Sequence, residues 1–251
     1  MRVLVAALIG IASGVASGAF GIGGALLSTP GIRWALDVPA IIAVGTTLPV
    51  IIPTAITGVI AYVRTKFVDM RAATITASAG GGFAILGALA TELVPGEALL
   101  IATAVLIFIL SIRMYPREGP VKSPMLQPTV PVLLAIGAVS GSVAGLLGVG
   151  GGVILVPVLT GLLRFPIKMA LGTSLAVVAA QAIPGSVTHA LIGNIDWTIA
   201  GGLVIGTIPG ARIGSKLAVA TEDRLLRATV AIAMAILAVA FGATEIRELI
   251  R

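Results

Sequence analysis

The 251 residues are 58% hydrophobic and only 10% charged, with a mean hydropathy of +1.15. A soluble domain of this length needs far more charge to cover its surface, whereas lipid accepts an apolar exterior. The absence of cysteine removes disulfides, thiolate metal sites and cysteine nucleophiles together, and the net charge of +6 sits between apolar runs, where it sets membrane orientation rather than nucleic-acid binding.

Those runs follow one another at 3–32, 39–63, 72–92, 98–114, 131–163, 168–191, 197–217 and 228–243, and a span takes about 20 mostly apolar residues. Nearly the whole chain is therefore committed to lipid. The expected fold is an all-α polytopic membrane protein, multi-pass in the cell (inner) membrane. The first run begins at Arg2 and contains Ala16-Ser17-Gly18-Ala19, the outline of a cleavable signal peptide. The same segment recurs in mid-chain, where no peptidase acts, so it is expected to be retained.

That recurrence is a duplication. At an offset of 127 positions, Ile9, Gly10, Ser13, Gly14, Gly18, Gly21, Gly23, Gly24 and Pro30 fall on Ile136, Gly137, Ser140, Gly141, Gly145, Gly148, Gly150, Gly151 and Pro157. The match continues through Gly45-Thr46 onto Gly172-Thr173, Leu48 onto Leu175, Gly58 onto Gly185 and Asp69 onto Asp196. Two four-segment repeats are expected, at 1–114 and 131–251. They are joined by a loop at 115–130, where Pro116, Pro120, Pro124 and Pro128 break helical pattern.

The opening run of each repeat is too long for one straight span and is interrupted by glycines. If each opens with a re-entrant helix pair that returns to its own side, three true spans follow and the second repeat is inverted. Charge favours this arrangement. One side then holds Arg64, Lys66, Arg71, Arg113, Arg117, Lys122, Arg164, Lys168, Lys216, Arg224 and Arg227, against Arg2, Arg33, Arg247 and Arg251 on the other. Cytoplasmic loops gather lysine and arginine, so both termini are placed outside.

Candidate site residues follow in chain order. Gly21, Gly23 and Gly24, with Gly148, Gly150 and Gly151, let the backbone leave the helix. The helix restarting after each break points unpaired N–H groups and a positive dipole end into the protein. Two such ends meeting at mid-membrane make an anion site without lysine or arginine. Gly10, Gly14 and Gly18, like Gly137, Gly141 and Gly145, stand four apart and suit helix packing instead. No Gly-Lys-Ser/Thr follows either cluster, which argues against a nucleotide loop.

Thr46 and Thr47, with Thr173 and Ser174, lie in the first turns of long helices. Their hydroxyls can donate to an oxyanion or bond back to the helix's own carbonyls. Gln181 is the most polar side chain near the centre of its span, with Thr54 in the equivalent place, and a central amide needs a partner in substrate or in another helix. Pro49, Pro53 and Pro184 are expected to bend these helices. Asp69 and Asp196 read as N-caps. His189, the lone histidine, has Tyr62 as its counterpart and reads as interfacial. Arg212, inside Gly206-x-x-x-Gly210-x-x-x-Gly214, either snorkels to the cytoplasm or attracts anions. The acidic residues all fall at or near span ends, so coupling through a buried carboxylate is not expected.

Gly21-Ile22-Gly23-Gly24 with Pro30, Gly148-Val149-Gly150-Gly151-Gly152 with Pro157, Ala170-Leu171-Gly172-Thr173-Ser174-Leu175 and Gly210-Ala211-Arg212-Ile213-Gly214 together resemble the TauE/SafE sulfite exporter family over nearly the full chain. In the first repeat Ala25 stands where the second has Gly152. The resemblance implies a membrane transporter, not an enzyme, whose partner is a small anion such as sulfite or a sulfonate. The residues leave an anion channel as an alternative and, from another class, an intramembrane hydrolase using His189 with a serine. Neither Ser/His/Asp nor metal-ligand spacing is evident, so no catalytic residue, metal or cofactor is expected; a homo-oligomer is compatible with everything above.

Overall fold

The computed structural model describes residues 1–94, 96–114, 125–148 and 150–249; residues 115–124 of the expected loop, and Val149, lie outside them. The described residues form α1 (Arg2–Phe20), α2 (Ala25–Leu36), α3 (Ala40–Arg64), α4 (Met70–Ala90), α5 (Gly96–Met114), α6 (Val130–Leu147), α7 (Gly152–Gly161), α8 (Ile167–Leu191), α9 (Trp197–Ala220) and α10 (Asp223–Leu249), with one 3₁₀ turn at Thr91–Leu93 and no strand. Six of them, α1, α3, α4, α6, α8 and α9, are long and apolar enough to cross a membrane.

Local chemistry sets the helix ends. Asp69 caps α4 by accepting from the Ala72 N–H at 2.9 Å. Asp196 caps α9 from the N–H groups of Thr198 at 2.9 Å and Ile199 at 3.0 Å, as both sequence positions predict. Pro39 and Pro166 hold the N-caps of α3 and α8 in nearly the same extended conformation. Both helices continue through internal prolines, Pro49 and Pro53 in α3 and Pro184 in α8.

The centre of the molecule is the pair α3 and α8, which have the most buried spans. They cross antiparallel, with Leu48 of α3 against Gly185 of α8 and Leu175 of α8 against Gly58 of α3. On the flanks α1 runs parallel along α9, and α6 runs parallel along α4. Gly10, Gly14 and Gly18 press on the backbone at Leu203, Thr207 and Ala211, while Gly137, Gly141 and Gly145 press on Thr76, Gly80 and Ala84. The four-residue glycine spacing is thus a packing stripe, letting backbones approach where a side chain would hold them apart.

After each opening helix the chain turns back on itself. A Cβ on Gly31 of α2 would stand 2.7 Å from Ile9 Cγ2 of α1, and one on Gly24 3.4 Å from Ser17 Cβ, so α1 and α2 form an antiparallel hairpin. α6 and α7 do the same, with Gly151 against Ser140. The returning arms α2 and α7 have 12 and 10 residues, and at 1.5 Å per residue each falls well short of the roughly 30 Å hydrocarbon core.

Candidate functional site

The two hairpin tips meet between α3 and α8. In the first, α1 stops at Gly21, whose φ of 71° is left-handed and whose N–H donates to Ser17 O; Gly23 and Gly24 follow at 87° and 91°. In the second, α6 stops at Gly148 with φ 62°, and Gly150 follows at 76°. Side chains seldom adopt these angles, so glycine is required at the turn itself. The tips then touch. A Cβ on Gly152 would lie 2.6 Å from Gly21 O, and one on Gly150 3.2 Å from Ile22 O. Ile51 of α3 and Val178 of α8 flank the meeting point, within 2.7–3.3 Å of the Cβ positions of Gly23 and Gly150. The two breaks are closed on each other in this conformation.

Helices α2 and α7 start at this junction, on Gly24 and Gly151. Their first bonds run from Leu27 and Ser28 to Gly24 O and from Ile154 and Leu155 to Gly151 O. The N–H groups of Gly24, Ala25 and Leu26, and of Gly151, Gly152 and Val153, meet no acceptor among the described residues. Unpaired amides in a helix's first turn carry the positive end of its dipole. Beside each N-cap stands a buried polar atom with no partner among the described residues: Ser17 Oγ at the first and Gln181 Oε1 at the second.

The hydroxyls selected from the sequence are drawn to these breaks, but by protein atoms. Ser174 Oγ donates to Gly21 O at 2.8 Å, and Thr47 Oγ1 lies 3.2 Å from Gly148 O and 3.0 Å from Val44 O. Thr46 Oγ1 accepts from the Asp196 N–H at 2.9 Å, and Thr173 Oγ1 from the Asp69 N–H at 3.0 Å. Gln181, 1% exposed, donates through Nε2 to Ser140 Oγ at 3.0 Å, while Thr54 in its equivalent place donates to Val50 O at 2.6 Å. The structure thus gathers Gly21, Gly23, Gly24, Gly148, Gly150, Gly151, Thr47, Ser174 and Gln181 around one junction. Thr46 and Thr173 tie α3 and α8 to the starts of α9 and α4. Arg212 is apart, exposed on α9, because the stripe of Gly206, Gly210 and Gly214 turns the other face of that helix toward α1.

Three residues escaped sequence reasoning or are corrected. His189 does not face outward: it is 0% exposed, packed inside the protein near the end of α8, and its Nε2–H donates to Gly145 O at 3.3 Å. Tyr62, its counterpart, donates its hydroxyl to Gly18 O at 2.9 Å, so two unlike side chains hold equivalent carbonyls in the last turn before each break. Thr29 of α2 contacts Thr47 Oγ1 at 3.1 Å; as one of many threonines it carries no distinguishing sequence signal. A cavity of ≈ 190 Å³ lies elsewhere, lined by Asp69, Arg71, Ala72, Met125, Gln127, Pro128 and Leu133, and includes no residue of the breaks.

The profile of the family described as sulfite exporter TauE/SafE matches residues 6–241. The chain is 26% identical to the probable membrane transporter protein YunE of Bacillus subtilis, over 99% of this chain and 98% of that protein. It is 31% identical to a probable membrane transporter protein of Xylella fastidiosa over 82% and 80%, and 23% identical to the probable membrane transporter protein MJ0441 of Methanocaldococcus jannaschii over 84% of each. No solved structure matches. With a profile match across nearly its whole length, six helices fit to span a bilayer and relatives named as transporters rather than enzymes, the chain is a multi-pass membrane transporter and belongs to the TauE/SafE family.

Proposed function

We propose that this transporter exports a small oxyanion, of the sulfite or organic sulfonate class, by alternating access at the junction of its two glycine breaks. One observation carries the reading. Two helix N-termini start at one place between α3 and α8, on Gly24 and Gly151, with first-turn amides that donate to no described protein acceptor. Paired dipole ends of this kind favour negative charge, and they spare the cost of about 2.5–3.5 kcal/mol for a cation at the bilayer centre.

The same reading takes residues 1–114 and 131–251 as inverted repeats, each opening with a re-entrant hairpin. In its support, exchanging each helix for its counterpart leaves the pairings intact: α1 on α9 becomes α6 on α4, α3 on α9 becomes α8 on α4, and α2 on α3 becomes α7 on α8. The hydrogen bonds exchange likewise, Thr46 to Asp196 with Thr173 to Asp69 and Ser174 to Gly21 with Thr47 to Gly148. A carrier suits the closed junction better than a channel does, because Ile51 and Val178 fill its approach and a site opened alternately must be closed in between. Outward flux follows from the membrane potential, which drives an anion from a negative interior with ~2.3 kcal/mol per charge per 100 mV.

Purified protein in liposomes tests this. Sulfite and alkanesulfonate flux should saturate with concentration and show counterflow, and Gly151→Ala should lower both more than about tenfold. Flux that rises linearly with concentration replaces the carrier with a channel; flux untouched by changes at both breaks places the site elsewhere.

A further inference from the structure

Resting on the anion site just described, the side chain of Gln181 narrows what that anion is. Ser140 Oγ lies 3.0 Å from Gln181 Nε2 and 3.2 Å from Gly137 O. Gln181 Nε2 donates to Ser140, whose single proton then goes to the Gly137 carbonyl. The amide is oriented accordingly, with Nε2 as the donor to Ser140. The NH₂ group faces Ser140 and the carbonyl Oε1 faces the break.

Oε1 lies 2.7 Å from the Cβ position of Gly151, the residue on which α7 starts. It is buried and has no partner among the described residues, although buried amide oxygens are nearly always paired. The second break thus presents two unlike groups at one spot. The amides of Gly151, Gly152 and Val153 are donors, whereas Gln181 Oε1 can only accept. A fully deprotonated anion without hydroxyl or amine satisfies the first set and leaves Oε1 facing one of its own oxygens. We infer that the transported anion carries an O–H or N–H donor of its own, which Gln181 Oε1 receives while the amides of α7 hold the charge.

The hydrogen can sit on the oxyanion itself or on a substituent, and two isosteric pairs separate these sources. Methylphosphonate, at a pH where it is a monoanion, and methanesulfonate share shape and charge and differ by one acidic O–H. 2-Hydroxyethanesulfonate and propane-1-sulfonate differ by a hydroxyl in place of a methyl. Competition against a transported anion in liposomes should favour the donor-bearing member of at least one pair by about tenfold or more, since a site that pairs a donor rejects the analogue lacking it.

In Gln181→Met that ratio should fall to about one, whatever the absolute affinity. Ser140→Ala frees the amide to turn and should flatten the same preference; it supplies the answer if Gln181→Met does not fold. Wild-type ratios near one in both pairs, with all four anions competing, overturn this inference and leave the break site standing. If none of the four competes and Gly151→Ala transports normally, the site itself is overturned.

Discussion

Gly151 separates the two demands a tight turn makes of glycine. Its φ is −58°, open to any residue, so alanine there adds no backbone strain; yet the new methyl would stand 2.7 Å from Gln181 Oε1 and 2.8 Å from Ser140 O. Gly151→Ala should reduce transport more than tenfold while costing about 1–3 kcal/mol of stability through overpacking. Gly82 is the control: nothing lies within 4 Å of its Cβ position, and Gly82→Ala in mid-helix should stabilise by about 0.5–1 kcal/mol with transport unchanged. Flux and thermal unfolding in detergent read both. Tyr62→Phe tests the hold on the first break. Gly18 O sits in the last turn of α1 with no other donor among the described residues, and stranding a buried carbonyl costs about 1–3 kcal/mol, to be seen as a lowered unfolding midpoint. Of these residues, the glycines were legible because few others tolerate a left-handed turn. The offset paired Tyr62 with His189, but their common task was not legible, because a phenol and an imidazole share no sequence likeness and act alike only where each reaches the equivalent carbonyl, Gly18 O or Gly145 O.

The helices themselves were legible from their caps and their periodicity, and their partners were not. Four-residue glycine spacing announces that another backbone comes close, but nothing in the spacing says that α1 finds α9 and α6 finds α4. The same stripe accounts for Arg212. Two residues from Gly210 and from Gly214, it falls about 200° around the helix from the packed face, so its exposure follows from position alone once that face is known. The parallel packing makes a paired prediction. A Cβ on Gly14 would overlap the Thr207 carbonyl, and one on Gly141 the Gly80 carbonyl. In both cases the obstacle is backbone, which cannot swing aside as a side chain does. Gly14→Ala and Gly141→Ala should therefore each lower stability by about 3 kcal/mol or more, by similar amounts, whereas at the site their counterparts differ. Fluorescence-detected size exclusion and unfolding in detergent would show both variants failing together; a large loss in one alone would mean that the two flanking contacts are not equivalent.

The proposed inversion is a property of the whole molecule, and turns at equivalent positions of the two halves are where it can be tested. Asp37 and Arg164, 127 positions apart, both take left-handed conformations at φ 51° and 58°. Lys66 and Gly193 are related in the same way, at 60° and 78°. All four are exposed, and each follows a helix that ends at the molecule's rim. In parallel repeats, equivalent turns lie on the same side of the membrane; in inverted repeats they lie on opposite sides. The lysine and arginine bias predicts Lys66 and Arg164 within the cytoplasm and Asp37 and Gly193 outside. Because the chain has no native cysteine, single cysteines at these positions can be labelled in intact cells with an impermeant maleimide. At position 193 nothing lies within 4 Å of a new Cβ, so the side chain has room although the φ of 78° strains it, and the other three already carry one. Cysteines at 37 and 193 should label in intact cells, and those at 66 and 164 only after the membrane is opened. Labelling of 66 and 193 from one side would make the repeats parallel. The hairpins would then reach the junction from the same side, and alternating access by exchange of two inverted halves would lose its structural basis.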